Sequence, residues 1–151
     1  MAPDDDLTCV FRFFTEVGII QQLISTKLES YLPGRMSATQ FGLLGHLERR
    51  PDGETPLQLA QAFQVPKTSM SHMLAGLEGH GFVVLSPNPD DKRSKIARIT
   101  EPGRAFQRDI SQTLQQALAP TLKDLGIAPF AQALPELEKV RQALDTERDA
   151  P

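Results

Sequence analysis

The chain has 151 residues, of which 40% are hydrophobic and 23% are charged, values typical of a globular protein and not of a disordered or fibrous one. Its single cysteine excludes an internal disulfide and the usual zinc fingers and ribbons. We expect no apolar run of 18 residues that could span a bilayer, and the acidic residues Asp4 to Asp6 stand where a signal peptide is basic. These features predict a cytoplasmic protein with no membrane partner.

The net charge of −3 is unevenly distributed. Residues 35–104 contain nine Lys and Arg against seven Asp and Glu, a net +2, whereas the remaining segments contain seven against twelve, a net −5. A domain that binds nucleic acid normally carries a basic surface. The middle of the chain is therefore the part suited to bind phosphate.

The first 34 residues predict a long amphipathic helix. Apolar residues recur at steps of three or four from Leu7 to Leu32, and Pro33-Gly34 ends the pattern. Further apolar residues widen the stripe beyond one core face: Phe13, Ile19 and Leu23. Such a helix needs burial against its own lobe and against a second surface, which is a first indication of a dimer.

Two short helices are predicted after a helix at residues 37–50. Thr55-Pro56 combines a hydroxyl N-cap with proline at the first helical position. After a turn at residues 63–65, Pro66 is expected to open the next helix in the same way, and that helix extends to His80.

The helix at residues 66–80 has two dissimilar faces. At 100° per residue, the apolar side chains group on one side: Met70, Met73, Leu74 and Leu77. The opposite side is small and polar: Thr68, Ser71, His72, Ala75 and Gly79. Glu78 is the only acid on this helix. A solvated face usually carries long charged side chains, so this face is suited to close approach by another molecule.

The rest of the chain predicts a hairpin and two further helices. Residues 82–85 and 95–100 are β-rich runs around a loop at 86–94. A long helix follows Gly103, with Pro120 expected to kink or break it near its end. Pro135 is expected to open the main part of the last helix, with residues 128–133 forming a shorter turn before it.

This order of elements predicts a mainly α fold with a small β-hairpin wing, an α+β winged helix-turn-helix lobe flanked by long terminal helices. Two segments carry a resemblance to a known family: LAQAFQVPKTSMSHMLAGLEGHGFV at 59–83 and NPDDKRSKIARITEPG at 88–103. Asp91-Lys92-Arg93, followed by Ile99-Thr100 and Gly103, resembles the Asp-x-Arg and Leu/Ile-Thr-x-x-Gly pattern of the MarR family. The resemblance implies a transcription regulator that binds double-stranded DNA.

Residues for DNA contact follow from this fold. Only the outer face and first turns of a recognition helix reach base edges, which selects Thr68, Ser69, Ser71 and His72. Lys67 and the free amides at the Pro66 end of the helix are placed to meet phosphate, and Thr55 and Pro66 are further candidate DNA-binding residues. Arg93 is expected to enter the minor groove, with the backbone held by Lys92, Ser94 and Lys95. The resemblance implies that Asp91 orients Arg93. Many family members carry Arg where His72 stands, so base preference there is not carried over.

Other residue types allow more than one interpretation. The resemblance implies a small aromatic or phenolic effector, for which Phe11, Phe14 and His46 are candidate pocket residues. Alternatively, the phenylalanines are core or dimer interface, His46 is a partly buried packing residue and His80 ends a helix. Cys9 is a candidate redox site, but the neighbouring acids oppose a thiolate, which favours a buried, inert thiol. Three dispersed histidines predict no metal site, and no cofactor is expected.

We therefore predict a homodimer with three segments: dimerisation helix 1–34, DNA-binding lobe 35–103 and dimerisation helices 104–151. An enzyme is disfavoured because the sequence lacks a nucleophile elbow, a phosphate-binding glycine loop and metal-ligand spacing. Two alternatives stay open: a winged helix that binds a protein partner, and a redox-sensing regulator that uses Cys9.

Overall fold

The computed structural model describes residues 3–148, and within that range the chain forms six helices and one two-stranded sheet. The elements in chain order are α1 (Pro3–Glu29), α2 (Ala38–Glu48), α3 (Pro56–Ala62), α4 (Lys67–Gly79), β1 (Val83–Pro87), β2 (Lys95–Ile99), α5 (Glu101–Leu125) and α6 (Ala128–Arg148). The predicted fold class, a mainly helical chain with a β-hairpin, is confirmed.

The hydrophobic core lies in a lobe made of α2, α3, α4 and the hairpin, together with the chain that follows α1. Its fully enclosed side chains are Leu43, Leu44, Leu47, Leu59, Met70, Leu74 and Leu77. The end of α1 adds Leu28, and the turn after it adds Leu32. Burial of each such side chain contributes about 1.5–3 kcal/mol, so this apolar cluster holds the short helices in place.

The hairpin is fastened to the lobe by a third extended segment. β1 and β2 pair antiparallel, with Leu85 opposite Ala97. Glu54 pairs with the other edge of β2 through two backbone hydrogen bonds to Ala97, of 3.2 and 2.8 Å. Gly53 has φ +77°, and a Cβ there would lie 2.5 Å from the Ala97 carbonyl oxygen. Glycine at this position therefore lets the Arg50–Glu54 turn approach the base of the wing.

Two predicted helix starts are shifted. Pro66 is the N-cap and not the first helical residue of α4, because its ψ of 147° is extended. α5 begins at Glu101, before Gly103, because Thr100 caps it: Thr100 Oγ1 accepts the Gly103 N–H at 3.1 Å. Gly103 is buried, and a Cβ there would meet the Phe82 carbonyl oxygen.

Neither interior proline ends a helix. α5 continues through Pro120 to Leu125, and Gly126, with φ +71°, ends it by donating its N–H to Leu122 O at 2.8 Å. α6 is one helix through Pro135, so the predicted separate turn at residues 128–133 is wrong. Pro129 stands in its first turn, where proline removes no intrahelical hydrogen bond, and it occupies the place assigned to Pro135.

The chain divides into two compact units, Met1–Leu114 and Gln115–Pro151. The first contains α1, the lobe and the start of α5, whose Phe106, Ile110 and Leu114 pack against the core. The second contains the end of α5 and α6, where apolar side chains such as Leu134 are exposed.

The expectation that no segment could span a membrane is wrong if only length and composition are considered. Residues Asp5–Glu29 of α1 reach a mean hydropathy of 1.3, so this helix is long and apolar enough to cross a membrane. The sequence prediction required an uninterrupted apolar run, whereas the window average tolerates scattered polar residues. A helix that packs against protein passes the same test, so length and composition are weak evidence for a span.

Candidate nucleic-acid interface

The start of α3 is fixed by a capping box. Thr55 Oγ1 accepts the Gln58 N–H at 3.3 Å, and Gln58 Oε1 accepts the Thr55 N–H at 2.9 Å. Pro56 at the first turn supplies the helical φ. The predicted N-cap at Thr55 is confirmed, while the role of Gln58 was missed, although the spacing Thr-x-x-Gln is the signal that could have found it.

A tight turn sets α4 against α3. Gln64 has φ +54°, and the Val65 N–H reaches back to Ala60 O at 3.0 Å. The apolar face of α4 is then buried through Met70, Leu74 and Leu77. This packing orients the rest of α4 and makes it the second helix of a helix-turn-helix, here called the recognition helix.

The polar face of the recognition helix is exposed, as the face analysis predicted. Its exposed residues from the first two turns are Lys67, Thr68, Ser69, Ser71 and His72. Among the residues that the structure describes, no side chain caps this helix, so its first amides remain available. Glu78 lies near the other end, where its Oε2 accepts the Leu85 N–H at 3.3 Å. The acid is thus held by β1 and away from the helix start.

The wing loop is closed by its own side chains. Asn88 Nδ2 donates to Ser94 Oγ at 2.9 Å, and the Asn88 N–H donates to Ser94 O at 3.2 Å. Asp91 Oδ1 accepts the Arg93 backbone N–H at 2.9 Å and lies 3.4 Å from Arg93 Nε. The Arg93 side chain is 93% exposed. An ordered turn therefore presents an arginine to solvent. Asn88 was not predicted, although asparagine two residues before an acid is a turn signal.

A cleft of about 740 Å³ lies between the start of α3, the recognition helix and the wing. It brings together seven of the residues selected from the sequence: Thr55, Lys67, Ser71, Asp91, Arg93, Ser94 and Lys95. A second cleft, of about 460 Å³, places His72 and His80 near Arg35, in the turn before α2. Thr68 and Ser69 are exposed on the helix, and Lys92 is exposed at the wing tip. Pro66 caps the helix start.

Within the part of the chain that the structure describes, the candidate effector residues have separate neighbours and do not form one pocket. His46 Nε2 lies 2.7 Å from Glu54 Oε2, and its ring meets Phe63 edge-on at 5.4 Å. His46 is half-buried, in agreement with the packing interpretation. Phe14 meets Phe13 at 5.4 Å, and Phe11 is 75% exposed on α1. The structure of the single chain therefore leaves the proposed effector pocket unassembled.

Three further predictions concern Cys9, His80 and metal binding. Cys9 is exposed, so the expectation of a buried thiol is wrong for the single chain, because the face of α1 that carries it is uncovered. His80 is the C-cap of the recognition helix, which confirms that it ends a helix, and its ring stacks on Phe82. Among the described residues, no group of three His, Cys, Asp or Glu could hold a metal ion.

Comparisons with known proteins agree with this geometry. The family model of the MarR family matches residues 36–94, from the turn before α2 to the wing loop. The chain is 30% identical over 103 residues to the multiple antibiotic resistance protein MarR of Salmonella typhimurium and to that of Escherichia coli; the match covers 68% of this chain and 71% of each relative.

Solved structures extend the similarity beyond the lobe. A cysteine-to-serine mutant of E. coli MarR superposes with a TM-score of 0.70 at 28% identity, over 83% of this chain and 93% of that chain. The same mutant in complex with operator DNA gives 0.69 at 27% identity, over 93% and 99%. The regulator BldR of Sulfolobus solfataricus, at 18% identity and a TM-score of 0.68 over 92% and 99%, shares the fold. The chain belongs to the MarR family of winged-helix transcription regulators, which are not enzymes.

Proposed function

We propose that this regulator is a cytoplasmic homodimer that binds a pseudo-palindromic operator and represses transcription by occupying a promoter. The observation that carries the proposal is the exposed, acid-free start of the recognition helix beside the outstretched Arg93. Phosphate repels carboxylates and attracts cations, so this combination suits DNA better than it suits a basic protein partner. A structural relative was solved in complex with operator DNA, which supports DNA as the partner.

Within this surface the residues have separate roles. Four residues of the recognition helix are exposed on its first two turns and would meet base edges in the major groove: Thr68, Ser69, Ser71 and His72. The DNA phosphate backbone is contacted by Lys67, by Thr55 and by the free amides after Pro66. Arg93 enters the minor groove, Asp91 orients it, and Lys92, Ser94 and Lys95 bind flanking phosphates.

Dimerisation is supported by the exposed apolar side chains of the terminal helices. α1 exposes Phe11, Ile20 and Leu23, and the end of the chain exposes Ile127 and Leu134. A monomeric protein rarely exposes so many large apolar side chains on its helices. A second copy would cover α1 and α6 and place two lobes about one DNA turn apart. The segments 1–34, 35–103 and 104–151 are then a dimerisation helix, a DNA-binding lobe and the remaining dimerisation helices.

An effector would act on this dimer by favouring one lobe spacing. A ligand shifts such an equilibrium only by its differential affinity for the two spacings. Phe11 and Phe14 are exposed in one chain, so they are available to wall a small aromatic ligand once the second copy is present. His46 stands in the lobe at the Glu54 contact and would bound the same pocket from the other side.

The test is binding to duplex DNA from around the protein's own gene, titrated at several salt concentrations beside random duplex. We expect the wild type to prefer one duplex and to show a steep salt dependence. Arg93→Ala should weaken binding to all duplexes on the order of tenfold and lower the salt slope by about one. His72→Ala should instead change the sequence preference.

Arg141→Ala is the matched control, because it removes one positive charge from α6, outside the lobe. Its affinity should stay within about twofold of the wild type, because Arg141 already pairs with Asp145 and is not one of the residues proposed to contact DNA. A wild type that prefers no duplex over random DNA would contradict the proposal. The search would then turn to a protein partner for the wing and recognition helix.

A further inference from the structure

We propose that Gln40 is a positioning residue for DNA recognition, because its side chain ties the start of α2 to the recognition helix at the carbonyl of Met73, the residue after His72. Gly76 is part of this device, since it leaves the space through which the Gln40 side chain passes. The inference rests on the proposed function, in which the recognition helix enters the major groove.

The side-chain amide of Gln40 accepts one hydrogen bond and donates another. Its Oε1 accepts the Ser37 N–H at 3.0 Å, which completes the capping box of α2. Its Nε2 donates to Met73 O at 3.1 Å, on a residue 33 positions away along the chain. The side chain is partly buried. A single glutamine therefore couples the cap of one helix to the backbone of another.

Both partners demand the same orientation of the amide. The Ser37 N–H requires an oxygen, and the Met73 carbonyl requires an N–H donor. Reversing the amide would break both bonds at once, so the network fixes the assignment of its atoms. The bond to Met73 is also not needed to satisfy α4, because that carbonyl lies in the helix interior, where an amide four residues on is its partner. The second lone pair of this carbonyl serves only the link between the two helices.

Gly76 allows the link to form. A Cβ at this position would lie 2.8 Å from Gln40 Nε2, closer than side chains pack. The atom that would have to move is the flexible end of Gln40, so an alanine at position 76 displaces the amide and leaves the helix backbone undisturbed. Gly79, on the same helix, has no atom within 4 Å of its Cβ position and lacks this role.

The link sits where it affects recognition. Met73 directly follows His72, and both line the cleft between α2 and α4 together with Gln40. Base contacts need side chains placed within a fraction of an ångström, whereas phosphate contacts tolerate small shifts. Loss of the link should therefore lower discrimination between duplexes more than it lowers binding to random DNA.

The experiment measures the ratio of operator to random-duplex affinity for full-length variants at one salt concentration. Gln40→Glu keeps an acceptor for the Ser37 N–H, as capping boxes allow, but loses the donor to Met73 O. Gly76→Ala keeps the glutamine and displaces it. We expect each variant to lower the ratio about tenfold, the size of one lost base-pair contact. The new charge in Gln40→Glu acts on both duplexes and cancels in the ratio.

Two further variants separate positioning from stability. The control is Gly42→Ala on α2, where a Cβ would lie at an ordinary contact distance of 3.6 Å from Phe63 Cε1. Alanine favours a helix over glycine, so Gly76→Ala and Gly42→Ala should both keep or raise the melting temperature, while only Gly76→Ala lowers the ratio. In a Gln40→Ala background, Gly76→Ala should have no further effect. Ratios within twofold of the wild type for Gln40→Glu and Gly76→Ala would overturn the inference. A wild type without operator preference would instead overturn the proposed function.

Discussion

The winged lobe and the terminal helices handle their apolar residues in opposite ways. In the lobe, side chains such as Leu44 and Met70 are fully enclosed within the same chain. In α1 and α6, comparable side chains are uncovered: Leu23 is 65% exposed and Leu134 is 56% exposed. The lobe therefore has a core of its own, whereas the terminal helices carry large apolar side chains that are left exposed.

This difference explains how one small chain can combine rigidity and regulation. The residues proposed to meet DNA stand on elements held by the enclosed core and by short hydrogen-bonded caps. Residues proposed for dimerisation stand on the uncovered helices, together with the effector candidates Phe11 and Phe14. The third effector candidate, His46, stands in the lobe. Changes within the lobe should act on folding, and changes on α1 should act on assembly.

The largest effect is expected for Gly103→Ala. A Cβ there would overlap the Phe82 carbonyl and lie 2.9 Å from Ile99 Cγ1, all of them buried or half-buried groups of the lobe. We expect a loss of about 3 kcal/mol or more in the free energy of unfolding, measured by urea denaturation. Gly18→Ala in α1, where the Cβ position has no atom within 4 Å, should cost nothing or stabilise the helix. Equal losses of unfolding free energy for Gly103→Ala and Gly18→Ala would contradict the difference between the enclosed lobe and the exposed α1.

The next effect concerns α1 itself. Ile20→Glu places a carboxylate on its exposed apolar stripe, and in a symmetric dimer two such charges are buried together. We expect the dimer dissociation constant to rise on the order of 100-fold, measured by light scattering over a dilution series. Gln22→Glu adds the same charge at an exposed polar position of α1 and should leave the dimer intact. A wild type that is monomeric at all concentrations would contradict the dimer.

A smaller effect is expected from Thr55→Ala. The change removes the hydroxyl that caps α3 and should cost about 1 kcal/mol of unfolding free energy, measured by thermal or urea denaturation. Thr15→Ala removes a hydroxyl that bonds Phe11 O within α1, where alanine is the better helix former. That control should be neutral or slightly stabilising. A neutral Thr55→Ala would show that the capping box is not needed to hold the short helix.

The smallest expected effect is on the wing. Asp91→Ala removes the acceptor of the Arg93 N–H and should weaken operator binding about threefold, although it also removes a negative charge near DNA. Asp90→Ala removes a neighbouring charge at an exposed position and should strengthen binding slightly. Opposite signs for the two variants in a titration with operator duplex would support the positioning role of Asp91. If both variants bind operator DNA more tightly than the wild type, Asp91 acts only through its negative charge and does not position Arg93.

Local signals in the sequence determined the parts of the molecule that depend on near neighbours. Thr55-Pro56 marked the start of α3, and the spacing of Met70, Leu74 and Leu77 determined which face of α4 is buried. These features depend on residues within a turn or two of one another, where propensity and periodicity act directly. The polar outer face of α4 and the order of the elements followed from the same signals.

Tertiary structure decided what depends on residues far apart along the chain. The pairing of Glu54 with Ala97 and the link from Gln40 to Met73 join positions more than 30 residues apart, and no periodicity encodes them. α5 continues through Pro120 and α6 continues through Pro135, although each proline removes one intrahelical hydrogen bond. Cys9 is exposed because burial depends on what covers a helix face, and the sequence of one helix does not specify its covering surface.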